Sequence, residues 1–310
     1  MIVFLIILGS IVCLNIISFT INQIFFSSEL ASISPYGELI EINGQKMHVY
    51  SMGIGEKTIV LLPGFSVPLP CADFGPLMRE LSKDYTVVCI EYFGIGFSEQ
   101  TDMPRTNENY TEEIRTALSL AGYKAPYVLM PHSGSGIYSE YYAAKYPDEV
   151  SAIIMLDTTS SAKTETIVPK FVYGISKVQQ SIGLNRIVNF FVVPSLLKKE
   201  NGYTEKEISD YGKFINHYYN DTIADQLSRS NDNIIEVMGM DFPNEVPVLK
   251  LIASQTMKQV GDEYQTNHLS RLGVNAESIT LNGSHFIYHS DAARIFEATN
   301  TFLEKYNRSR

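Results

Sequence analysis

Short runs of β-branched and aliphatic residues alternate with helix-like stretches of about a dozen residues, and this alternation constrains the fold more than any other feature of the chain. Residues 57–62 (KTIVLL), 85–91 (YTVVCIE), 126–131, 150–157 (VSAIIMLD) and 247–253 (PVLKLIA) read as buried strands. Helical patterns fall between them at 73–83, 106–121 and 135–146, the second ending at Gly122, a residue that commonly stops helices. Strands without polar alternation, separated by helices, imply a mostly parallel sheet with helices on both faces. Residues 44–53 and 57–62 are expected to pair as a hairpin around Gly53-Ile54-Gly55. The alternation stops between 158 and 245, where the pattern is helical and rich in Tyr, Phe, Asn and Lys, and resumes with a strand at 247–253, another near 278–281 and a last helix at 290–306. The expected division is therefore an α/β core over 36–157 and 246–310, with a helical cap over 158–245.

Residues 1–28 stand apart. Up to Phe26 there is no charged side chain, and the first is Glu29. Such a run is long enough to span a bilayer as a helix, and Ser10, Asn15, Ser18, Thr20 and Asn22 are tolerable interruptions. A basic n-region is missing and Ser28–Ser32 offers a poor cleavage site, which favours an uncleaved membrane anchor over a signal segment removed on secretion. With Glu29, Glu38 and Glu41 following and no Lys or Arg before Lys46, the body is expected outside the cytoplasm.

The charge balance is acidic, 24 Lys and Arg against 34 Asp and Glu, a net −10. A surface of this sign does not favour phosphate backbones, so no nucleic-acid partner is expected. Three cysteines without a C-x-x-C pair give neither a disulfide framework nor a zinc site. Cys89 reads as a core thiol and Cys71, in a proline-rich loop, as exposed. His285 and His289 are four residues apart but lack an obvious third ligand, so neither metal nor cofactor is expected.

The chemistry gathers at Pro131-His132-Ser133-Gly134-Ser135-Gly136, where a strand runs directly into a helix. A serine at such a turn is raised on a strained apex between small neighbours, and the next amide is free to face an oxyanion. Ser133 fits with Pro131 and Ser135 as its small flanks; the rival, Ser135, would have the bulky Ile137. Leu62-Pro63-Gly64-Phe65-Ser66 follows an earlier strand, and Asn282-Gly283-Ser284-His285-Phe286 follows the last. Serine first and histidine last is one known order of a triad.

From about residue 40 to 306 the chain resembles the α/β-hydrolase superfamily, in the branch of lidded serine esterases and proline iminopeptidases. The matching pieces are LLPGF (61–65), EYFGIGFSE (91–99), PYVLMPHSGSG (126–136), VSAIIMLD (150–157) and GSHFIYH (283–289). The resemblance implies Ser133 as nucleophile, His285 as general base, the amides of Phe65 and Gly134 as oxyanion hole, and 158–245 as lid. It also implies that Glu91 is a structural hydrogen-bonding residue and that His132 packs beside the nucleophile. The superfamily's usual acid position after the strand at 247–253 reads Ala253-Ser254-Gln255-Thr256, without a carboxylate. Asp157, at the end of the preceding strand, is the expected acid, with Asp262, in a longer loop, as the alternative and Glu263 or no acid behind them. The implied activity is hydrolysis of an ester or related acyl bond in a small, apolar substrate. Alternatives are an iminopeptidase-like aminopeptidase, for which Glu205, Glu207 and Asp210 are available, and a non-catalytic binding member of the fold.

Overall fold

The computed structural model describes residues 2–65, 67–163 and 170–307. Ser66 of the Leu62–Ser66 segment and residues 164–169 of the expected cap lie outside the described residues.

Eight strands form one sheet in the order β1-β2-β4-β3-β5-β6-β7-β8: β1 Glu38–Ile42, β2 Gln45–Met52, β3 Thr58–Leu62, β4 Thr86–Glu91, β5 Tyr127–Pro131, β6 Val150–Leu156, β7 Val248–Ala253 and β8 Ala276–Leu281. Strands β3 to β8 run parallel, while β1 and β2 are antiparallel additions at one edge. The strands β3, β4, β5, β6 and β7 are buried almost throughout, which is why their sequences are continuous apolar runs.

The hairpin differs from expectation. Strand β2 pairs with β1 and β4, not with β3. The true hairpin turns at Asn43-Gly44, both at positive φ (52° and 81°), a dipeptide suited to a two-residue turn. The chain then crosses over β4 to enter β3, because only there can 58–62 be buried on both faces.

Helices α2 Pro70–Asp73, α3 Gly75–Leu81, α4 Asn107–Leu120 and α5 Ser135–Lys145 connect the first strands. Thr106 caps α4 by accepting the amide of Asn109 (3.2 Å). Between β6 and β7 lie α6 Lys170–Ser181, α7 Leu184–Leu196, α8 Glu205–Phe214 and α9 Asp221–Met238, followed after β7 by α10 Ser254–Leu272 and, after β8, α11 Ala292–Asn307. A capping box of Thr204 and Glu207 starts α8.

Two apolar clusters fill the two faces of the sheet. One joins Val60, Leu62, Leu129 and Ile153 to α4 and α5; the other joins Ile59, Leu61, Val128 and Ile154 to α3 and α11. Residues of opposite parity along each strand supply the two clusters, as the pleat requires. Helix α1 Ile2–Phe26 projects from this body with most of its described apolar side chains exposed. Among the described residues it is the one helix long and apolar enough to cross a membrane.

Candidate active site

The parallel strands deliver Phe65, Ser133, Asp157 and His285 to the same edge of the sheet, beyond the C-terminal ends of β3, β5, β6 and β8. That edge is where open α/β sheets hold their ligands.

Ser133 has φ +52°, the left-handed region that non-glycine residues rarely enter. The turn is over-determined by its surroundings. The Ser133 amide donates to Leu156 O (3.2 Å), its carbonyl accepts the amides of Gly136 (3.1 Å) and Thr159 (3.0 Å), and His132 bridges to Leu156. Close packing requires glycine at two points: a Cβ on Gly136 would stand 2.6 Å from Thr158 Cβ, and one on Gly64 would stand 2.6 Å from His132 Nδ1. Ser135 is tolerated because its hydroxyl turns into the interior, donating to Pro63 O and meeting Tyr92 OH at 2.9 Å. Ser135 is thereby buried and spoken for, whereas Ser133 Oγ faces His285.

His285 Nε2 lies 2.8 Å from Ser133 Oγ and its Nδ1 lies 2.7 Å from Asp157 Oδ2. The tautomer consistent with both bonds carries its proton on Nδ1, leaving Nε2 to accept from the serine hydroxyl. The Asp157 carboxylate is held by further donors: the Ala253 amide on Oδ1 (2.8 Å) and the Thr256 hydroxyl on Oδ2 (2.5 Å). The residues at the superfamily's usual acid position thus serve as donors to an acid on the neighbouring strand. Asp262 and Glu263 are exposed on α10, beyond the backbone break at Gly261, and the structure does not bring them to His285. Thr256 escaped the sequence reading; a hydroxyl standing where a carboxylate is expected was the signal.

The amides of Phe65 and Gly134 donate to no acceptor among the described residues. Gly134 is the N-cap of α5, so its amide and the positive end of that helix face the Ser133 side. His132 is buried, stands 4.8 Å from the His285 ring and donates from Nε2 to the His285 carbonyl (3.2 Å). Burial, with the neighbouring His285 second, pushes its pKa well below the usual histidine value, so it stays neutral.

The remaining polar residues are engaged elsewhere. Glu91 accepts the amides of Cys71 (3.0 Å) and Phe97 (2.7 Å), bracing the loops around the site. His48, Cys71 and Glu91 place ligand atoms within 4.8 Å of one another. However, His48 Nε2 already accepts the Gly37 amide (2.9 Å) and burial raises the Cys71 thiol pKa, so this donor set is poorly prepared for a metal. Cys71 is buried rather than exposed, because α2 folds its loop under the body. His289 donates to Asp73 Oδ1 (2.9 Å), and Tyr288 donates to the other oxygen of Asp73. The acids considered for amine binding are all paired: Glu205 with Lys199, Glu207 with Arg79 and Asp210 with Lys206.

Comparison with known proteins agrees with this fold. The sequence model of the α/β hydrolase fold family matches residues 57–191. "Uncharacterized protein YbdG" of Bacillus subtilis is 28% identical over 321 residues, 98% of this chain and 97% of that protein. The human "Serine hydrolase BPHL" is 29% identical over 119 residues, 37% of this chain and 40% of its own. The crystal structure of Cfl2 from Burkholderia cenocepacia superposes with a TM-score of 0.67 at 17% identity, covering 86% of this chain and 94% of that one, a likeness of fold alone. The sheet order, the strained serine between β5 and α5, the histidine after the last strand and the family match over 57–191 converge: the chain has the α/β-hydrolase fold.

Proposed function

We propose that this protein is a membrane-anchored serine hydrolase that cleaves an ester or related acyl bond of a small apolar substrate. Ser133 Oγ attacks the acyl carbonyl while His285 Nε2 takes its proton. Asp157 holds the imidazole in the required tautomer and stabilises the imidazolium that forms. The amides of Phe65 and Gly134 meet the developing oxyanion. His285 returns its proton to the leaving group, then activates the water that releases the acyl-enzyme. Helices α6 to α9 act as a lid over this edge of the sheet, and α1 is the anchor, with the body outside the cytoplasm.

The observation that carries the reading is the Ser133–His285–Asp157 relay at 2.8 and 2.7 Å. The aminopeptidase alternative has less support, since Glu205, Glu207 and Asp210 already face cations. A binding-only role has less still, since both the serine and the histidine are present and hydrogen-bonded.

The test is labelling with a fluorophosphonate and turnover of p-nitrophenyl esters. The expected result is a single modified peptide containing Ser133 and loss of at least about 10³-fold in kcat on Ser133→Ala. A folded chain with no label and no turnover would overturn the proposal.

A further inference from the structure

Helix α7 buries Val193 in the body, but over residues 184–192 its polarity is reversed. Two polar residues there face the protein: Asn189 donates to Asn216 Oδ1 (2.8 Å), and Arg186 donates to Asn22 Oδ1 (2.7 Å) and pairs with Glu29 (2.7 Å). Its apolar residues Leu184, Ile187, Val188, Phe190, Phe191 and Val192 are exposed, Phe190 by 74% and Phe191 by 71%. Ile175 and Val178 extend the patch along α6. A helix at a water surface turns the other way, and contiguous exposed apolar area marks a contact surface.

What covers this surface follows from α1. Ser18 donates to Ile182 O (2.6 Å), and Asn22 donates to Ser181 O (3.0 Å) and Gln180 O (3.3 Å). These carbonyls lie at and just past the C-terminal end of α6, where intrahelical donors run out, although Gln180 O also accepts the Gly183 amide (3.0 Å). Two polar residues of the apolar N-terminal run thus dock the α6–α7 turn onto α1. The 25 residues of α1 make a helix about 37 Å long against a hydrocarbon core of about 30 Å, so its C-terminal turns emerge into the headgroup region. Ser18 and Asn22 lie about 12 and 6 Å before the end of α1 at 1.5 Å per residue, so the α6–α7 turn they hold straddles the boundary between acyl chains and headgroups, about 7 Å from that end. The exposed apolar face of α7 begins there, at Leu184.

We propose that the outer face of α6 and α7 inserts shallowly into the same bilayer that α1 spans, and that the substrate is an acyl ester dissolved in that bilayer. This rests on α1 as an anchor and deepens the hydrolase reading. Interfacial helices seat an apolar face about 5–10 Å into the headgroup and acyl boundary, with aromatic side chains favoured at that level.

The test uses the full chain carrying Cys13→Ser, since Cys71 and Cys89 are buried, in phosphatidylcholine–phosphatidylglycerol vesicles. Phe190→Cys, or Val274→Cys at an exposed site beyond the patch, is labelled with the fluorophore NBD. Lipids bearing an acyl-chain spin label are expected to quench the probe at 190 at least about twofold more than at 274. Equal quenching overturns the insertion. Protection of the probe at 190 from aqueous iodide without lipid quenching also overturns it, in favour of a second copy of the chain on this face. In the second arm, Phe190→Glu with Phe191→Glu is expected to lower hydrolysis of a vesicle-dissolved long-chain ester at least about tenfold while soluble p-nitrophenyl butyrate stays within about twofold. An equal fall on both esters overturns the substrate assignment. If the parent chain cleaves neither ester, the hydrolase reading fails, and quenching, which needs no turnover, still decides the lipid contact.

Discussion

One loop after β8 carries two histidines, four residues apart, and each is bound to a buried aspartate. His285 meets Asp157 at 2.7 Å and His289 meets Asp73 at 2.9 Å. By distance alone the pairs are nearly equivalent; by surroundings they are not. The His285 side chain is 41% exposed and its second nitrogen faces Ser133 Oγ, whereas His289 is 6% exposed and stacks on Phe286 at 5.0 Å. Tyr288 donates to Asp73, and Tyr203, from the segment before α8, donates to the Asp73 carbonyl (2.6 Å). A histidine–aspartate pair becomes reactive only where a hydroxyl and open space lie on the far side of the ring. Enclosed by aromatic rings, the same pair is a clamp, here joining α2, the histidine loop and the helices between β6 and β7.

The comparison breaks most readily at Asp157. Asp157→Asn is expected to lower kcat about 10⁴-fold with the fold intact, the loss seen when a triad acid becomes an amide that stabilises the wrong tautomer. Asp262→Asn should leave kcat within about twofold, and a large loss there instead would reassign the acid. Asp73→Asn should invert the pattern: kcat falls less than about tenfold, while thermal unfolding moves down by about 3–10 °C as buried donors lose their charged acceptor. A larger loss of turnover than of stability would make Asp73 part of the chemistry.

A finer cut is Thr256→Val, which removes one donor from Asp157 and keeps the shape. The expectation is about a tenfold drop in kcat with little change in KM, since a hydrogen bond to a charged group is worth about 1.5–3 kcal/mol and part of it is replaced by water. The smallest effect concerns His132. Burial holds it neutral in the fold, while the unfolded chain takes up its proton below about pH 6.5. The unfolded state then binds more protons, so stability falls as pH drops below that value, by up to about 1.4 kcal/mol per pH unit. His132→Asn should therefore shrink the fall in melting temperature between pH 7.5 and 5.5 by about 3 °C. An unchanged difference would mean that His132 titrates in the folded protein.

The parts of the site that were readable in the sequence are local ones. Ser133 announces itself because strand, small residues and helix are contiguous, and His285 because it follows the last strand on a glycine turn. The Asn43-Gly44 hairpin was equally local and went unread, since the strand at 38–42 is half exposed and carries Glu38 and Glu41. The sequence ranked Asp157 ahead of Asp262 but did not decide between them, because the partner that distinguishes them lies 128 residues from Asp157. Only the adjacency of β6 and β7 brings Ala253 and Thr256 to Asp157 and leaves Asp262 outside.

The sequence by itself determined the class of fold, the edge of the sheet where the chemistry gathers, and the serine and histidine that face each other there. Periodicity and turn chemistry act between neighbours in the chain, and such information is written in short windows. The tertiary structure alone decided which carboxylate meets the histidine, which histidine is enclosed, and that α7 turns its apolar side outward. Each of these depends on strands, helices and side chains more than a hundred residues apart or on the direction a helix faces once docked. Burial and hydrogen bonding set those outcomes, and neither exists until the chain has folded.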